Sequence, residues 1–471
     1  METMIQRIRN FFSVRHMIRP DQLQGELPAS GTMYRQFMAM AWPSAVEAVL
    51  IGLVGAADTM MVGGLGDAAI AAVGITNQPK FILLCTIFAL NVGVTAVVAR
   101  RKGQGDQKGA VEATRNGIIL CALIAAVMAV LGYFLAEPFM RLAGANDDYI
   151  GDAVAYFQIL VVSIFFQALN TTINAAQKGC GNTKISMQTN MVSNIVNVIF
   201  NYLLINGVGG FPRLEVRGAA IATCLGSMVA CTISILKLLP KKTYLSVHYP
   251  AGWKLSGKVL APMFKVSSSA LVEQLCLRIG FLLYAMTVAN LGTTPYATHI
   301  ICMNILSISF CFGDGFAVAA SALVGQNLGA KRADKSILYG RVGQRIVFLV
   351  SCCLCVVFFV GRHFLVDLYT DSPEVILMGG NIMLMIALIT FFQTSAVVAA
   401  GALRGAGDTR YVAAVSLIST AILRPALSWI LCYPVGWGLY GAWLGVLVDQ
   451  TLRMILNFGR FKAGKWVQIQ L

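Results

Sequence analysis

The chain has 471 residues, of which 57% are hydrophobic and 12% are charged, with a formal net charge of +15 and a mean hydropathy of +0.72. So little polar surface cannot cover a soluble globule of this size, which excludes a soluble protein and favours a membrane protein. The positive charge does not indicate nucleic-acid binding, because it follows the loops between apolar segments.

Twelve apolar segments are long enough to cross a bilayer core of about 30 Å as helices. They lack the two-residue alternation of a membrane β-barrel. We therefore predict an all-α membrane protein with twelve transmembrane helices, six in each half. In chain order the predicted crossings are 37–61, 69–99, 112–135, 150–176, 184–206, 217–239, 259–290, 297–326, 338–361, 376–403, 411–433 and 439–458.

The two halves repeat each other at a constant offset. Glu47 matches Glu273, an offset of 226 (273 − 47), and the same offset matches Thr183 with Thr409. Because each half has an even number of crossings, both halves have the same orientation. The sequence thus predicts two six-helix bundles related by a parallel internal repeat, an arrangement found in transporters.

The distribution of Lys and Arg predicts the orientation in the membrane. The predicted outer loops hold only Arg141, Arg213, Arg217 and Arg362, whereas the opposite side holds most of the 36 basic residues. By the positive-inside rule, both termini are expected in the cytoplasm and the chain in the inner membrane. The expected organisation is an N-terminal segment at 1–33, an N-lobe at 34–240, a linker at 241–258, a C-lobe at 259–460 and a tail at 461–471.

The first residues favour an interfacial helix on the inner leaflet, with a disordered basic tail as the alternative. Apolar residues there alternate with arginines at helical spacing: Met4, Ile5, Ile8, Phe11 and Phe12 with Arg7, Arg9 and Arg15. The twelve cysteines have no metal-like spacing, and we interpret them as apolar packing residues. We expect no structural metal.

Two loops that match across the repeat contain paired glycines. Residues 177–183 read Gln-Lys-Gly-Cys-Gly-Asn-Thr and residues 403–409 read Leu-Arg-Gly-Ala-Gly-Asp-Thr. Glycine pairs permit tight reversals with positive φ, so we interpret these loops as structural and place no substrate contact there. A second matching pair of loops lies at 100–105 and 325–330.

With Ala57-Asp-Thr-Met-Met-Val-Gly-Gly on the first crossing, these loops resemble the multidrug and toxic compound extrusion (MATE) family of cation-coupled antiporters. The resemblance covers about residues 34–460. It implies a non-enzymatic exporter of organic, often cationic compounds, working by alternating access with H⁺ or Na⁺ and no other cofactor. The implied partners are small organic substrates and membrane lipids, without nucleic acid, and the implied state is a monomer.

Glu47 and Glu273 occupy matching positions on the first helix of each half, near the expected bilayer centre. Carboxylates in a membrane are costly unless they are paired or face a wet cavity. They are therefore candidates either for cation coupling or for structural ion pairs. For a structural pair, Lys80 could reach Glu47, and Arg278 or Arg424 could reach Glu273.

Asp58 lies about three turns beyond Glu47, and Thr59 follows it. In one branch of the MATE family, an aspartate followed by threonine at this place is the cation residue of the N-lobe. That site also uses an Asn and an Asp on the fifth helix, which Asn197 and Asn201 match, so one acid is missing. A less negative site should bind Na⁺ more weakly. The repeat mate of Asp58 is Tyr284, which we place in the substrate cavity together with Lys80.

Asn194, Asn197 and Asn201 share one face of the fifth helix. Such a face can line the N-lobe cavity, or its amides can simply hydrogen-bond between helices. Asn190 continues the row one turn further, toward the inner side.

In the other MATE branch, a glutamate on the seventh helix and an aspartate on the tenth form a C-lobe cation site. Glu273 matches the glutamate, and because the tenth crossing has no acid, Asp314 is the candidate replacement. Arg278 and Arg424 either neutralise these acids or bind an anionic or zwitterionic substrate. We interpret His299, near the outer start of the eighth helix, as an interfacial hydrogen bonder, with a proton-relay role as the alternative.

Asp449 and Arg453 are four residues apart, which predicts a pair on a helix surface. Two functional alternatives follow from the whole sequence. A flippase for lipid-linked or anionic substrates in the same superfamily is favoured by the intramembrane arginines. A membrane enzyme or receptor is disfavoured, because no metal triad, nucleophile–base set or phosphate loop is evident.

Overall fold

The computed structural model describes residue 6 and residues 10–63, 65, 67–143, 148–253 and 255–469. These residues form helices and connecting turns, with no strand among them, which confirms the predicted all-α fold. A long helix covers each predicted crossing. We number these helices α1 to α12: Ser30–Gly63, Asp67–Gly103, Gln107–Phe134, Ile150–Gly179, Thr183–Asn206, Glu215–Leu236, Gly257–Ala289, Thr293–Gly329, Ala333–Val360, Pro373–Ala406, Thr409–Cys432 and Gly438–Ala463.

Within the described ranges, ten of these helices are long and apolar enough to cross a membrane by composition alone. The exceptions, α5 and α12, carry buried polar side chains instead. Asn197 and Asn201 are buried on α5, and Asp449 and Arg453 are buried on α12. Polar groups within a membrane are tolerated when they face other helices, so these two helices depend on the bundle around them.

Packing divides the chain into two compact units, which do not begin and end at helix ends. The first-half unit is Val46–Leu271, and the second-half unit combines Met1–Ala45 with Val272–Leu471. The boundaries fall inside α1 and α7. Each unit has two clusters of buried apolar side chains, so each has its own core. The lobe boundaries predicted from hydropathy remain a prediction.

Glycines and a proline shape the helices near the candidate site. Gly315 packs against the backbone of Ala45, so the Gly313–Gly315 region of α8 provides close packing within an unbroken helix. In α11 a π-helical turn at Leu417–Leu423 precedes Pro425. The wider turn accommodates the missing N–H and the proline ring, so α11 continues through Pro425 without a break.

The predicted glycine reversals are confirmed in both matching loops. Gly181 has φ +88° and Gly407 has φ +89°, in the region that only glycine adopts readily. These turns let α4 reverse into α5 and α10 reverse into α11. The repeat is therefore visible in the backbone as well as in the sequence.

Segments at both ends of the chain pack onto the second-half unit. Met4, Ile5, Arg7, Ile8 and Arg9 of the predicted interfacial helix lie outside the described residues. Further along, Val14 and Met17 are buried in the core, and Ser30 Oγ accepts a hydrogen bond of 3.1 Å from the backbone N–H of Val14. Near the C-terminus, Trp466 stacks on Phe461 at 4.9 Å. Residues 14–18 therefore belong to the folded unit, not to a disordered tail.

Candidate functional site

Glu47 lies on α1 and accepts three hydrogen bonds on one carboxylate oxygen. The donors to Oε1 are Lys178 Nζ at 3.0 Å, Ser186 Oγ at 2.9 Å and Asn190 Nδ2 at 2.6 Å. Its Oε2 is also buried and has no hydrogen-bond donor among the described residues. A charged donor and two neutral donors thus hold this carboxylate in place.

Glu273 lies on α7 and is completely buried. Arg404 donates hydrogen bonds to both carboxylate oxygens of Glu273, from Nε to Oε2 at 3.2 Å and from Nη2 to Oε1. A bidentate guanidinium–carboxylate pair is among the strongest ion pairs that proteins make. Arg404 occupies the last turn of α10, as Lys178 occupies the last turn of α4.

The two ion pairs are related by the repeat. Lys178 and Arg404 differ by 226 (404 − 178), the offset that relates Glu47 to Glu273. Each half therefore pairs the glutamate of its first helix with a cation at the end of its fourth. We call these two pairs the repeat ion pairs.

Several sequence-based expectations for these glutamates are wrong. Glu47 does not pair with Lys80, and Glu273 pairs with neither Arg278 nor Arg424, because residues from the glycine loops take those places. These loops therefore supply the cations of both ion pairs, which agrees with the structural role expected for them. Lys178 and Arg404 lie near the ends of α4 and α10, whereas the glutamates lie near the middle of α1 and α7, and their depth in the bilayer remains a prediction. The shared offset was a signal in the sequence that could have identified both cations.

Asp58 forms a separate site in the first-half unit. Asn201 Nδ2 donates to Asp58 Oδ1 at 2.5 Å and to Asn197 Oδ1 at 3.3 Å, and Asn197 Nδ2 donates to Thr223 Oγ1 at 3.2 Å. The structure therefore unites Asp58 with both asparagines, as the family resemblance implied. The side chain of Thr59 lies outside the described residues.

Lys80 belongs to the Asp58 site. It acts electrostatically on Asp58, and Asp58 acts on the buried hydroxyl of Tyr156. Lys80, the partner expected for Glu47, therefore acts on Asp58 instead. A bound Na⁺ would have to share this site with the Lys80 side chain.

The asparagine row on α5 serves two carboxylates. Asn190 donates to Glu47 and Asn201 donates to Asp58, eleven residues later (201 − 190). Between them, Asn194 Nδ2 is buried without an acceptor among the described residues. Asn170 Nδ2 on α4 donates to Asn190 Oδ1 at 3.1 Å, a contact that the sequence pattern did not reveal. The row is thus part of the polar packing between helices.

In the second-half unit, Arg424 and Asp449 form a buried ion pair. Arg424 Nε and Nη2 donate to Asp449 Oδ2 at 2.9 and 2.5 Å, and Thr420 Oγ1 donates to Oδ1 at 3.3 Å. The predicted surface pair of Asp449 with Arg453 is therefore wrong, since both are buried. Arg424 neutralises Asp449, whereas the expected targets were Glu273 and Asp314.

Tyr284, the repeat mate of Asp58, is buried beside this pair. The Arg424 guanidinium lies 5.8 Å from the Tyr284 ring centre and 4.8 Å from that of Phe281. His299 is 5.3 Å from Tyr284, between ring centres, and is itself buried, while its predicted depth at the membrane interface remains a prediction. The matched positions of the two units therefore carry different chemistry: an acid in one and a phenol beside a guanidinium in the other.

Asp314 and Arg278 are the two other charged residues that were predicted to act with Glu273 in this unit. Asp314 is exposed on α8 and acts electrostatically on Arg404, and Arg278 is half-buried on α7. Both oxygens of Glu273 accept from Arg404, so a cation shared with Asp314 would have to compete with this guanidinium. The Na⁺ site at Glu273 and Asp314 remains a prediction.

Comparison with known proteins agrees with this architecture. The family model MatE matches residues 43–203 and 270–430. Probable multidrug resistance protein NorM of Thermotoga maritima is 26% identical, over 92% of this chain and 93% of that protein. Multidrug resistance protein PmpM of Pseudomonas aeruginosa is 26% identical, over 88% of each chain. A crystal structure of MATE in complex with MaD3S superposes with a TM-score of 0.85 at 19% identity, covering 92% of this chain and 97% of that one.

Proposed function

The chain belongs to the MatE family, and we propose that it is an antiporter that exports organic, often cationic compounds in exchange for protons. The relatives named as multidrug resistance proteins support a drug exporter. The twelve-helix fold supports a multi-pass position in the cell membrane, and the positive-inside rule supports cytoplasmic termini. The choice of the coupling ion rests on the geometry at Asp58.

Asp58 is the intramembrane acid that is best placed to exchange a proton. Glu47 and Glu273 are each paired with a basic side chain near the end of a helix, Lys178 and Arg404 respectively. Asp58 instead accepts a hydrogen bond from a neutral amide, Asn201, with Lys80 in electrostatic range. A group that couples transport must gain and lose its ion as the cycle turns, and a neutral donor permits this more easily than a guanidinium.

Protonation of Asp58 would remove its attraction for Lys80 and for the Asn201 amide. If that change has different free energies in the inward-open and outward-open states, a proton gradient shifts the equilibrium between them. A proton that bound both states equally would drive nothing. This difference in proton affinity is what the proposal requires.

The test uses proteoliposomes that contain the full chain, with ethidium as the transported probe. We expect efflux driven by a pH gradient and not by a Na⁺ gradient, and we expect Asp58→Asn to abolish it. The matched control is Asp367→Asn, which removes an exposed acid and should leave efflux unchanged. Efflux that persists in Asp58→Asn, or that follows only the Na⁺ gradient, contradicts the proposal.

An exporter of anionic or lipid-linked substrates is the second candidate, and the geometry favours it less. Arg424 is fully buried and holds Asp449, so it presents no charge to a substrate. Arg278 is the remaining arginine of the pair that suggested this function. A lipid-flipping assay on the same proteoliposomes would separate the two candidates.

A further inference from the structure

A cavity of about 210 Å³ lies within the first-half unit, and neither Asp58 nor Glu47 is among its lining residues. It is enclosed by α3, α4, the end of α6 and the residues 237–253 that follow α6. Its wall is almost entirely apolar, and includes Ile118, Ile173, Leu238 and Leu245. An apolar cavity of about 150 Å³ already binds benzene, so this one has room for a longer stretch of hydrocarbon.

The single charged group in the wall is Arg115, which is 4% exposed. Its Nη1 donates to the carbonyl of Ala251, and its Nη2 donates to the carbonyls of Val247 and Tyr249, both at 2.8 Å. Its Nε is buried and has no acceptor among the described residues. Glu112 acts on Arg115 electrostatically, but no ion pair with Arg115 occurs in the described part of the chain.

The cavity therefore offers hydrocarbon contact and one buried cationic donor, which complements an amphiphile that has an acyl chain and an acceptor oxygen. Its position fits such a ligand. Arg115 is in the third turn of α3, and Leu238 directly follows α6, so the cavity lies near the helix ends where ester and headgroup atoms occur. Trp253, a residue type typical of this interface, stacks 4.8 Å from the Arg115 guanidinium and is half-exposed at the rim.

The charges beside the rim select the headgroup. Lys237, Lys241 and Lys242 are exposed and flank the lining residue Leu238. Clusters of lysine on the predicted cytoplasmic side attract anionic lipids. We propose that this cavity binds one acyl chain of an anionic phospholipid, with an ester or phosphate oxygen accepting from Arg115 Nε and the headgroup among the three lysines.

Such a lipid would also stabilise the linker between the two halves of the sequence. Gln107 Nε2 donates to the carbonyl of Tyr244 at 3.0 Å, and Asn116 Oδ1 accepts from the backbone N–H of Ser256 at 3.0 Å. Together with Arg115, these bonds fasten residues 244–251 and Ser256 to α3. The bound chain would fill the space beneath these residues and hold them in place.

The test is photo-crosslinking of the full chain in lipid nanodiscs. The discs are phosphatidylcholine with one part in about four of phosphatidylglycerol, a composition that mimics an anionic inner leaflet. A diazirine is placed in the acyl chain of one lipid at a time, and labelled peptides are identified by mass spectrometry. We expect phosphatidylglycerol to label the peptides that contain Ile118 and Leu238 more than phosphatidylcholine does.

Ile173→Trp fills the cavity and should reduce this labelling about tenfold, as displacement of roughly two buried methylene groups implies. Leu123→Trp on the exposed face of α3 is the matched control and should not reduce it. If Ile173→Trp elutes as an aggregate, Ile118→Trp replaces it as the cavity-filling variant, with the same expected loss of labelling. Replacing the three lysines by Gln should bring phosphatidylglycerol down to the phosphatidylcholine level.

Three outcomes would overturn the proposal. Labelling spread evenly over the lipid-facing helices and unchanged by the cavity-filling variant would mean ordinary contact with surrounding lipid. Equal labelling by both phospholipids would show that the cavity does not prefer an anionic headgroup. A diazirine fatty acid that labels as strongly as phosphatidylglycerol, independently of the lysines, would mean a carboxylate ligand instead of a phospholipid.

Discussion

The repeat ion pairs make a quantitative prediction about Glu273→Gln. Glu273 is completely buried and the Arg404 side chain is 21% exposed, so the substitution leaves a mostly buried guanidinium without its counter-charge. Removing one partner of a buried pair costs about 3–5 kcal/mol of unfolding free energy. We expect the lower end of that range, because Arg404 retains some solvent and Asp314 acts on it electrostatically.

The matched control is the equivalent substitution in the other half, Glu47→Gln. Glu47 receives one charged and two neutral donors on Oε1, and the carboxamide keeps an oxygen in that position. The expected loss is therefore smaller, about 1–3 kcal/mol, the cost of an imperfectly paired buried group. The expected losses of unfolding free energy differ because Arg404 donates to both oxygens of Glu273, whereas three donors share one oxygen of Glu47.

The assay is a double-mutant cycle measured by unfolding in mixed micelles. The variants are Glu273→Gln, Arg404→Gln and the combination of the two. We expect the combined variant to lose less than the sum of the single losses, with a coupling of about 1–3 kcal/mol. Losses that add within about 0.5 kcal/mol would show that the pair does not stabilise the fold, and would refute the reasoning.

Two further predictions concern packing in the second-half unit. A Cβ at Gly405 would collide with the backbone of Ser321, so Gly405→Ala should lower the unfolding free energy by about 1–3 kcal/mol in the same micelle assay. The control is Gly459→Ala, whose Cβ meets open space and which should change the unfolding free energy by no more than about 0.5 kcal/mol. Asp449→Asn leaves Arg424 buried without its counter-charge and should lower the unfolding free energy by at least about 3 kcal/mol. Replacing both partners by apolar residues of similar size should recover most of that loss. Equal losses in the single and double variants would contradict a structural role for this pair.

The number and position of the helices followed from the amino-acid sequence. A helix satisfies its own backbone hydrogen bonds, and a bilayer of fixed thickness requires about 20 apolar residues per crossing, so hydropathy locates each helix without knowledge of its neighbours. The internal repeat could be recognised from matched positions in the sequence alone, of which Glu47 and Glu273 are the clearest. The site at Asp58, Asn197 and Asn201 followed from the family resemblance and from the spacing of the two asparagines along α5.

The partners of the charged residues could not be derived in the same way. In a bilayer, a helix such as α1 or α7 is apolar on every side, so no stripe indicates which face meets which neighbour. Long side chains make the pairing harder to predict. Arg404 and Lys178 contact glutamates from the ends of other helices, and Lys80 acts electrostatically on Asp58. Which cation meets which acid depends on how the helices are rotated and packed, because an ion pair requires atoms within a few ångströms and sequence spacing constrains that distance only within one helix.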